Sequence, residues 1–298
     1  MRFYVKLNNN YKNGNYCDWN DRYSPIHQDF FDGFKYKLIK KTFNEKLKVI
    51  FLTGTAGAGK SLLTSKIKEY YAKNSTFPAT LNLDPGVEKL PYSPDIDVRD
   101  YVDVNSLMQQ YELGSNGSLI MANDLVATKI DEIQTEIDNV NPDYLLVDTP
   151  GQIELFAYRQ SGPFFVNNIR ADEKVNVFLY DGTLISSPSN FVSLTLLSTS
   201  IRLRLGLPTL NVITKTDLIP DKLSEILEWT SDDFNLENEI AKEVDGETLP
   251  LISDMFHTLS NNGFFEDLIP ISNATGEGMV NLESALSRTI NMGEEVED

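Results

Sequence analysis

The sequence has few of the side chains that build disulfide frameworks or soft metal centres. Its 298 residues include one cysteine, Cys17, and two histidines, His27 and His257. A single cysteine excludes an intramolecular disulfide framework, and we therefore expect a reducing, cytoplasmic setting. These three residues are also too few and too scattered for a zinc- or nickel-type site, which needs several Cys or His ligands together.

Long apolar runs and an excess of positive charge are also missing. No stretch approaches 18 consecutive apolar residues, so we expect no membrane-spanning helix, and we see no secretory signal after the first basic residues. The net charge is −18, and a body this acidic repels phosphate backbones, so we expect no direct binding of nucleic acid. Nucleotide binding is not excluded, because local backbone amides and one lysine can outweigh a distant negative field.

The two ends of the chain differ from its middle. Residues 1–50 contain ten Lys and Arg against five Asp and Glu, and residues 1–46 are rich in Asn, Asp, Tyr and Gly without a hydrophobic period. We interpret residues 1–46 as a peripheral or poorly ordered extension. The alternative is a small subdomain that uses Trp19, Phe30 and Phe31 as a hydrophobic anchor. Residues 292–298 have the composition of a solvated acidic tail.

Between residues 47 and 291, short apolar segments alternate with helical patterns. Continuous apolar strands between helices indicate an α/β fold with a mostly parallel sheet and helices on both faces. We expect helical insertions at about 100–140, including one long helix over 118–140, and at about 221–263. The predicted strands are residues 47–54, 79–84, 144–151, 175–182, 207–215 and 265–272.

A glycine-rich loop follows the first predicted strand. Residues 54–61 match the pattern G-x-x-x-x-G-K-[ST] between an apolar strand and a helix, as in P-loop NTPases. Glycines let successive N–H groups turn inward around phosphate oxygens, and the helix N-terminus adds its positive end. Its lysine would reach the β- and γ-phosphates, and its serine hydroxyl would lie on Mg²⁺. A glycine-rich turn without a ligand is the alternative. The residues expected at the phosphates are Gly57, Ala58, Gly59, Lys60, Ser61 and Leu62.

An acidic residue ends the predicted strand YLLVD. Asp148 would lie beside the phosphate loop at the tip of a buried strand, where a carboxylate usually holds Mg²⁺, often through water. Capping of a turn is the alternative role. Gly151 lies three residues further on, and its N–H would donate to a γ-phosphate and so sense whether the third phosphate is present.

A T-K-x-D tetrapeptide at residues 214–217 closes a later strand. Its aspartate would accept two hydrogen bonds from guanine N1–H and N2–H₂, a donor pair that adenine lacks, and its lysine stem would lie over the base. Its threonine can hydrogen-bond the phosphate loop. The turn after the last strand would bring backbone amides to guanine O6, unless it is only a strand-to-helix connection. We therefore expect GTP or GDP, with Mg²⁺, at Thr214, Lys215, Asp217, Asn273 and Ala274.

Three further stretches resemble one known family. LNLDPGVEKLPYSPDIDVRDYV, LVDTPGQIELF and a Gly-Ser-Asn sequence are similar to motifs of the GPN-loop GTPases, and the resemblance covers about residues 47–291. It implies a homodimer through the helices that flank Gly114–Asn116, with Asn116 reaching the partner's phosphate site. Ser115 replaces the family's proline, so the fixed φ of that position is lost. From the residues alone, Gly-Ser-Asn-Gly predicts a turn in which Gly114 and Gly117 take positive φ.

The same resemblance implies roles near the γ-phosphate. Asp84 corresponds to the family's switch aspartate, close to the γ-phosphate, Mg²⁺ and the attacking water. Gln152 and Glu154 match positions close to that water, and the sequence does not rank one above the other. For Glu154, a favourable interaction with a helix N-terminus is the alternative role. A direct role and a surface salt-bridge cluster are both open for Asp97, Arg99 and Asp100.

Two functions fit these patterns. The first is Mg²⁺-dependent hydrolysis of GTP to GDP and phosphate by a homodimer that acts as a nucleotide-dependent switch. Its expected catalytic residues are Asp84, Gln152, Glu154, Asn116 and Lys60, and its expected metal ligands are Ser61, Asp84 and Asp148. The second is a nucleotide-gated assembly factor with little intrinsic turnover. By the resemblance, its clients would be protein complexes such as RNA polymerase.

Overall fold

The computed structural model describes residues 47–74, 76–230, 233–243, 248–261 and 268–291. The extension predicted at residues 1–46 and the acidic tail predicted at residues 292–298 lie outside the described residues. Among the described helices, none combines the length and the apolar character that crossing a membrane requires.

The strands lie side by side in one sheet. Their bounds are β1 (Lys48–Gly54), β2 (Pro78–Asn82), β3 (Ile96–Asp97), β4 (Tyr144–Asp148), β5 (Glu173–Asp181), β6 (Thr209–Thr214) and β7 (Leu268–Pro270). The strand order is β3-β2-β4-β1-β5-β6-β7, and every neighbouring pair is parallel. The predicted α/β fold with a parallel sheet is confirmed.

Helices connect the strands. Their bounds are α1 (Lys60–Lys73), α2 (Val104–Gln110), α3 (Ser115–Thr128), α4 (Ile130–Val140), α5 (Ser161–Asn168), α6 (Pro188–Leu205), α7 (Pro220–Trp229), α8 (Asp233–Glu243), α9 (Thr248–Ser260) and α10 (Met279–Asn291). A π-helical turn spans Glu154–Tyr158. Helices α7 to α9 lie between β6 and β7, where the sequence predicts a helical insertion, and α8 and α9 pack on α6.

The central strand shows why the sheet has a core on each face. Val49 and Phe51 of β1 belong to one buried cluster, and Ile50 and Leu52 belong to the other, because successive side chains of a strand point to opposite faces. Residues of α1 and α10 complete the second cluster, whereas residues of α3 to α6 complete the first. Helices therefore cover both faces, as predicted.

The single long helix predicted over residues 118–140 is wrong. The chain forms two helices, α3 and α4, that meet at Lys129, whose ψ of 10° breaks the helical path. Thr128 Oγ1 donates to the carbonyl oxygen of Leu125 at 2.6 Å, a side-chain bond that competes with the helical ladder at this point. The break lets α3 pack against α2 and α5 while α4 packs against β3.

The predicted turn at Gly-Ser-Asn-Gly is also wrong in its position. Gly114 has φ −71° and ψ 169°, and residues 115–117 form the first turn of α3. The left-handed residue of the connection between α2 and α3 is Glu112, with φ 52°. The chain therefore reverses just before the Gly-Ser-Asn sequence, and Asn116 lies on a helix end instead of a loop tip.

Candidate functional site

The predicted site residues lie where the parallel strands end. The phosphate loop follows β1, Asp84 follows β2, and Asp148 is the last residue of β4. The T-K-x-D segment begins at the last residue of β6, Thr214, and residues 272–274 follow β7. Ligands of open α/β sheets bind at this carboxyl edge, so the topology gathers segments that are far apart in the sequence.

The backbone of the phosphate loop requires glycine. Gly54, Gly57 and Gly59 have φ values of 144°, 79° and 90°, a region that residues with a Cβ atom rarely adopt. A Cβ atom at Gly54 would also lie 2.7 Å from the carbonyl oxygen of Leu179 on the neighbouring strand. The loop conformation therefore depends on these glycines.

Lys60 begins α1 and folds back over the loop. Its Nζ donates to Gly54 O at 2.9 Å, to the next carbonyl oxygen at 3.0 Å and to Gly151 O at 3.5 Å. Burial lowers the pKa of Lys60, and the nearby carboxylates of Asp148 and Asp84 oppose that shift. The lysine thus connects the phosphate loop with the segment that follows β4.

Asp148 is almost fully buried at the end of β4. Its Oδ2 accepts a hydrogen bond from Tyr92 Oη at 2.9 Å, whereas its Oδ1 has no hydrogen-bond partner among the described residues. Burial raises the pKa of Asp148, although the hydroxyls of Ser61 and Tyr92 and the charge of Lys60 oppose the shift. A buried carboxylate oxygen without a partner is a candidate cation ligand.

Asp84 joins the segment after β2 to the segment after β4. Its Oδ2 accepts from Gly151 N at 3.1 Å, and its Oδ1 accepts from Gly86 N at 3.0 Å. Asn82, which the sequence reasoning missed, is fully buried and holds this aspartate by its backbone. Its Nδ2 donates to Asp84 O at 3.1 Å, and its Oδ1 accepts from Asp84 N at 3.1 Å.

The IDVRD stretch braces the same segment. Arg99 forms a bidentate bridge with Asp97, with Nε 3.0 Å from Oδ1 and Nη2 2.6 Å from Oδ2. Arg99 Nη1 also donates to Val87 O at 3.0 Å, and Asp97 Oδ1 accepts from Asn82 Nδ2 at 2.9 Å. Burial alone would raise the pKa of Asp97, but the hydrogen bonds from Arg99 and Asn82 lower it. Asp97 and Arg99 thus form a structural bridge, while Asp100 is exposed.

Gln152 and Glu154 are exposed beside the phosphate loop. Both line a cleft of about 680 Å³ whose other walls include Thr55 of the loop and Tyr158. Glu154 begins the π-helical turn, a feature that the sequence reasoning missed and that often occurs at functional sites. The cleft gives both side chains access to the open side of the loop.

Asn116 is exposed on the first turn of α3, and its side chain makes no hydrogen bond within the described part of the chain. The helix itself contacts the Asp84 segment, because a Cβ atom at Gly86 would lie 2.3 Å from Leu119 Cδ2. The structure therefore places α3 against the predicted switch segment. Among the described residues, no hydrogen bond joins the Asn116 side chain to the phosphate loop of its own chain.

Side-chain hydrogen bonds hold the first two residues of the T-K-x-D segment in place. Thr214 Oγ1 donates to Ala58 O at 2.8 Å, which is the hydrogen bond to the phosphate loop expected from the sequence, and lies 3.1 Å from Tyr180 O. Lys215 has a left-handed φ of 59°, and its Nζ donates to Asp181 Oδ2 at 2.6 Å. Burial alone would raise the pKa of Asp181, but the hydrogen bond from Lys215 lowers it.

The turn after β7 meets this segment. Asp217 is exposed, and its Oδ1 accepts from Ser272 Oγ at 2.6 Å. Asn273 Nδ2 donates to Gly59 O at 3.4 Å, while its buried Oδ1 has no hydrogen-bond partner among the described residues. Ala274 follows on the exposed side of the turn. The structure thus brings the two predicted base-binding segments together beside the phosphate loop.

Comparison with known proteins agrees with these motifs. Residues 52–292 match the family described as conserved hypothetical ATP binding proteins. A GPN-loop GTPase from Pyrococcus abyssi is 33% identical over 179 residues, which cover 59% of this chain and 71% of that protein. The chain belongs to the GPN-loop GTPase family. The resemblance read from the sequence is confirmed.

A solved structure and two eukaryotic relatives extend the comparison. The crystal structure of a GTPase in apo form from Pyrococcus abyssi has a TM-score of 0.73 and 27% identity, covering 83% of this chain and 98% of that chain. GPN-loop GTPase 1 from Dictyostelium discoideum is 34% identical over 186 residues, 61% of this chain. GPN-loop GTPase 1 from Saccharomyces cerevisiae is 29% identical over 244 residues, 78% of this chain. The chain spans 46% and 63% of the lengths of these two relatives, respectively.

Proposed function

We propose that this chain binds GTP and GDP with Mg²⁺ and hydrolyses GTP to GDP and phosphate. The observation that carries the proposal is the direct contact between the three segments expected at the γ-phosphate. Gly151 N donates to Asp84 Oδ2 at 3.1 Å, and Lys60 Nζ donates to Gly151 O at 3.5 Å. A γ-phosphate oxygen would compete with Asp84 for the Gly151 N–H, which would make this contact sensitive to the third phosphate.

Guanine is the base that the T-K-x-D segment favours, although the matched family is described as ATP binding. The Asp217 carboxylate is exposed at the site and can accept from the two guanine donors, for which adenine has no equivalent. Ser272 holds Asp217 in place, and Asp181 holds the Lys215 ammonium, so that the lysine stem can lie over the base. These contacts support guanine over adenine.

The oxygen donors at the end of β4 fit Mg²⁺. The Ser61 hydroxyl and the carboxylates of Asp84 and Asp148 are hard oxygen ligands, which this ion prefers. Asp148 Oδ1 is buried without a hydrogen-bond partner among the described residues, and a cation would satisfy it. We propose that these three residues hold Mg²⁺, directly or through water. When bound, the ion would neutralise charge that develops on the phosphate oxygens.

Hydrolysis also needs an oriented water molecule. Asp84 is fixed by two backbone N–H groups, and Gln152 and Glu154 reach the open side of the phosphate loop. A carboxylate or carboxamide at these positions would orient the water, and orientation supplies much of the barrier reduction in phosphoryl transfer. Lys60 would stabilise charge on the phosphates. Measuring kcat for GTP hydrolysis by Gln152→Ala and by Glu154→Ala separates the two contributions. Only replacement of the residue that orients the water should lower kcat strongly.

We propose that the active form is a homodimer in which Asn116 acts on the partner's phosphate site. Asn116 is exposed on the helix end that lies against the Asp84 segment, so a second copy that covers this region would bring two sites together. A mixing experiment tests this. Asn116→Ala and Lys60→Ala are each expected to hydrolyse GTP slowly.

An equal mixture of the two variants should recover about a quarter of the unmutated rate, because half of the dimers are mixed and each holds one intact site. Asn281→Ala, which removes an exposed asparagine from α10 on the opposite face of the sheet, is the matched control and should keep full activity. A mixture that is no faster than its components would contradict action across a dimer.

The second candidate function is a nucleotide-gated assembly factor with little intrinsic turnover. The coupling between Asp84, Gly151 and α3 favours it, because a change at the γ-phosphate would reach an exposed helix. We propose that the exposed side of α3 binds protein clients, such as subunits of RNA polymerase, in one nucleotide state. Affinity capture with non-hydrolysable GTP and with GDP should then return different partners, and identical partners would contradict the proposal.

A further inference from the structure

Tyr92 lies on the segment that connects Asp84 to β3. Its ring is half-buried, and its hydroxyl crosses to the end of β4, where Oη lies 2.9 Å from Asp148 Oδ2. A tyrosine hydroxyl is protonated at neutral pH, and at this distance it donates to the carboxylate. The hydrogen bond joins residues that are 56 positions apart in the sequence.

The hydrogen bond from Tyr92 makes the two oxygens of the Asp148 carboxylate unequal. Oδ2 is taken by Tyr92, whereas Oδ1 is buried and has no hydrogen-bond partner among the described residues. A free carboxylate can rotate about its terminal bond, which is a soft torsion. The hydrogen bond from Tyr92 to Oδ2 restrains that rotation and leaves Oδ1 for the rest of the site, where the Ser61 hydroxyl also lies near this carboxylate.

The segment that carries Tyr92 is held on both sides of it. Upstream, Asp84 accepts from Gly151 N at 3.1 Å. Downstream, Asp95 Oδ2 accepts from Thr80 N at 2.7 Å and from Lys68 Nζ at 2.6 Å. Because both flanks are tied to neighbouring elements, the tyrosine hydroxyl is held in place instead of being carried on a loose loop.

We propose that Tyr92 is a positioning residue for the cation, holding Asp148 Oδ2 so that Oδ1 faces Mg²⁺. The inference rests on the proposed Mg²⁺-dependent function and adds a residue to it. Groups that orient a metal ligand typically change metal affinity 10- to 100-fold when removed. We expect the lower end of that range, because Tyr92 would act on the ion only through Asp148.

Tyr92→Phe tests the proposal, because it removes the hydroxyl and keeps the ring. Tyr144→Phe is the matched control. It removes a hydroxyl at the start of β4, the strand that Asp148 ends, and therefore far from the site. Both variants and the unmutated protein are titrated with Mg²⁺ in the presence of a fluorescent GDP analogue. The same analogue is also bound in EDTA, and melting temperatures confirm that each protein is folded.

The expected result is that Tyr92→Phe raises the half-saturating Mg²⁺ concentration about tenfold. Affinity for the analogue in EDTA should stay within twofold of the unmutated protein, and Tyr144→Phe should change neither quantity. An unchanged Mg²⁺ requirement in Tyr92→Phe would overturn the positioning role and leave the proposed function standing. So would an equal loss of affinity in EDTA, which indicates a merely structural role. An unmutated protein with no Mg²⁺ dependence would overturn both.

Discussion

Replacing Asn82 with alanine should lower both the stability of the fold and the rate of GTP hydrolysis. Asn82 is fully buried, and its side chain makes three hydrogen bonds, two to the Asp84 backbone and one to Asp97. At about 1 kcal/mol net for each bond, the loss of unfolding free energy is about 3 kcal/mol. For a domain of this size that corresponds to a fall in Tm of roughly 6–12 °C.

A second buried asparagine provides the control. Asn176 of β5 is also fully buried, accepts from Thr53 Oγ1 at 2.8 Å and donates to Thr209 Oγ1 at 3.3 Å, away from the switch segment. Asn176→Ala should therefore cost about 2 kcal/mol of unfolding free energy. At a temperature where both variants are folded, its GTP turnover should stay within about twofold of the unmutated protein.

The assay combines denaturant unfolding with steady-state release of phosphate from GTP. Asn82→Ala should lose more than about tenfold in kcat, because Asp84 is no longer held by its backbone at the site. If folded Asn82→Ala turned over GTP as fast as folded Asn176→Ala, the argument that Asn82 positions the switch aspartate would be refuted.

Three further changes test other parts of the account. Gly54→Ala should unfold the protein or abolish nucleotide binding, because φ is 144° and the new Cβ atom would lie 2.7 Å from Leu179 O. Gly114→Ala is the control and should leave Tm nearly unchanged, because φ is −71° and no atom lies within 4 Å of the new Cβ atom. Ser115→Pro should raise stability by about 0.4–1 kcal/mol by chemical unfolding without lowering turnover, since Ser115 is the first residue of α3 and proline suits that position. Asp148→Asn should abolish Mg²⁺-dependent hydrolysis yet unfold less readily than the unmutated protein at pH 7 in EDTA. Burial raises the pKa of Asp148, so the stability tied to its protonated form is present below its unfolded pKa of about 3.9 and is lost as pH rises through the folded value. The advantage of the asparagine should accordingly vanish toward pH 4, and an advantage that persists there would contradict the assignment.

Local signals predicted the parts of the site that depend on local chemistry. The phosphate loop needs glycine at positions with positive φ, and a buried strand that ends in an acid marks Asp148, so both can be read from neighbouring residues. Contacts between distant segments have no such signal. Asn82 resembles any other strand residue until its bonds to the Asp84 backbone are seen, and Tyr92 is separated from Asp148 by 56 residues.

The same limit explains the errors in the fold. The hydrophobic period fits one long helix over residues 118–140, yet the chain breaks at Lys129, so that α3 packs against α2 and α5 while α4 packs against β3. Gly, Ser and Asn are weak helix formers, so residues 114–117 read as a turn, although packing of α3 against its neighbours makes the last three helical. Tertiary packing overrode the local preference in both places.

The most direct measurement of the central claim is the base preference of hydrolysis by the unmutated protein and by Asp217→Asn. Xanthine carries a carbonyl oxygen where guanine carries its N2 amino group. An asparagine at position 217 can donate a hydrogen bond to that oxygen and should therefore bind xanthine in place of guanine. We predict that the unmutated protein hydrolyses GTP and leaves ATP and XTP nearly untouched, and that Asp217→Asn prefers XTP. Hydrolysis of ATP as fast as GTP by the unmutated protein, or an Asp217→Asn variant with the original preference, would contradict a guanine nucleotide hydrolase at this site.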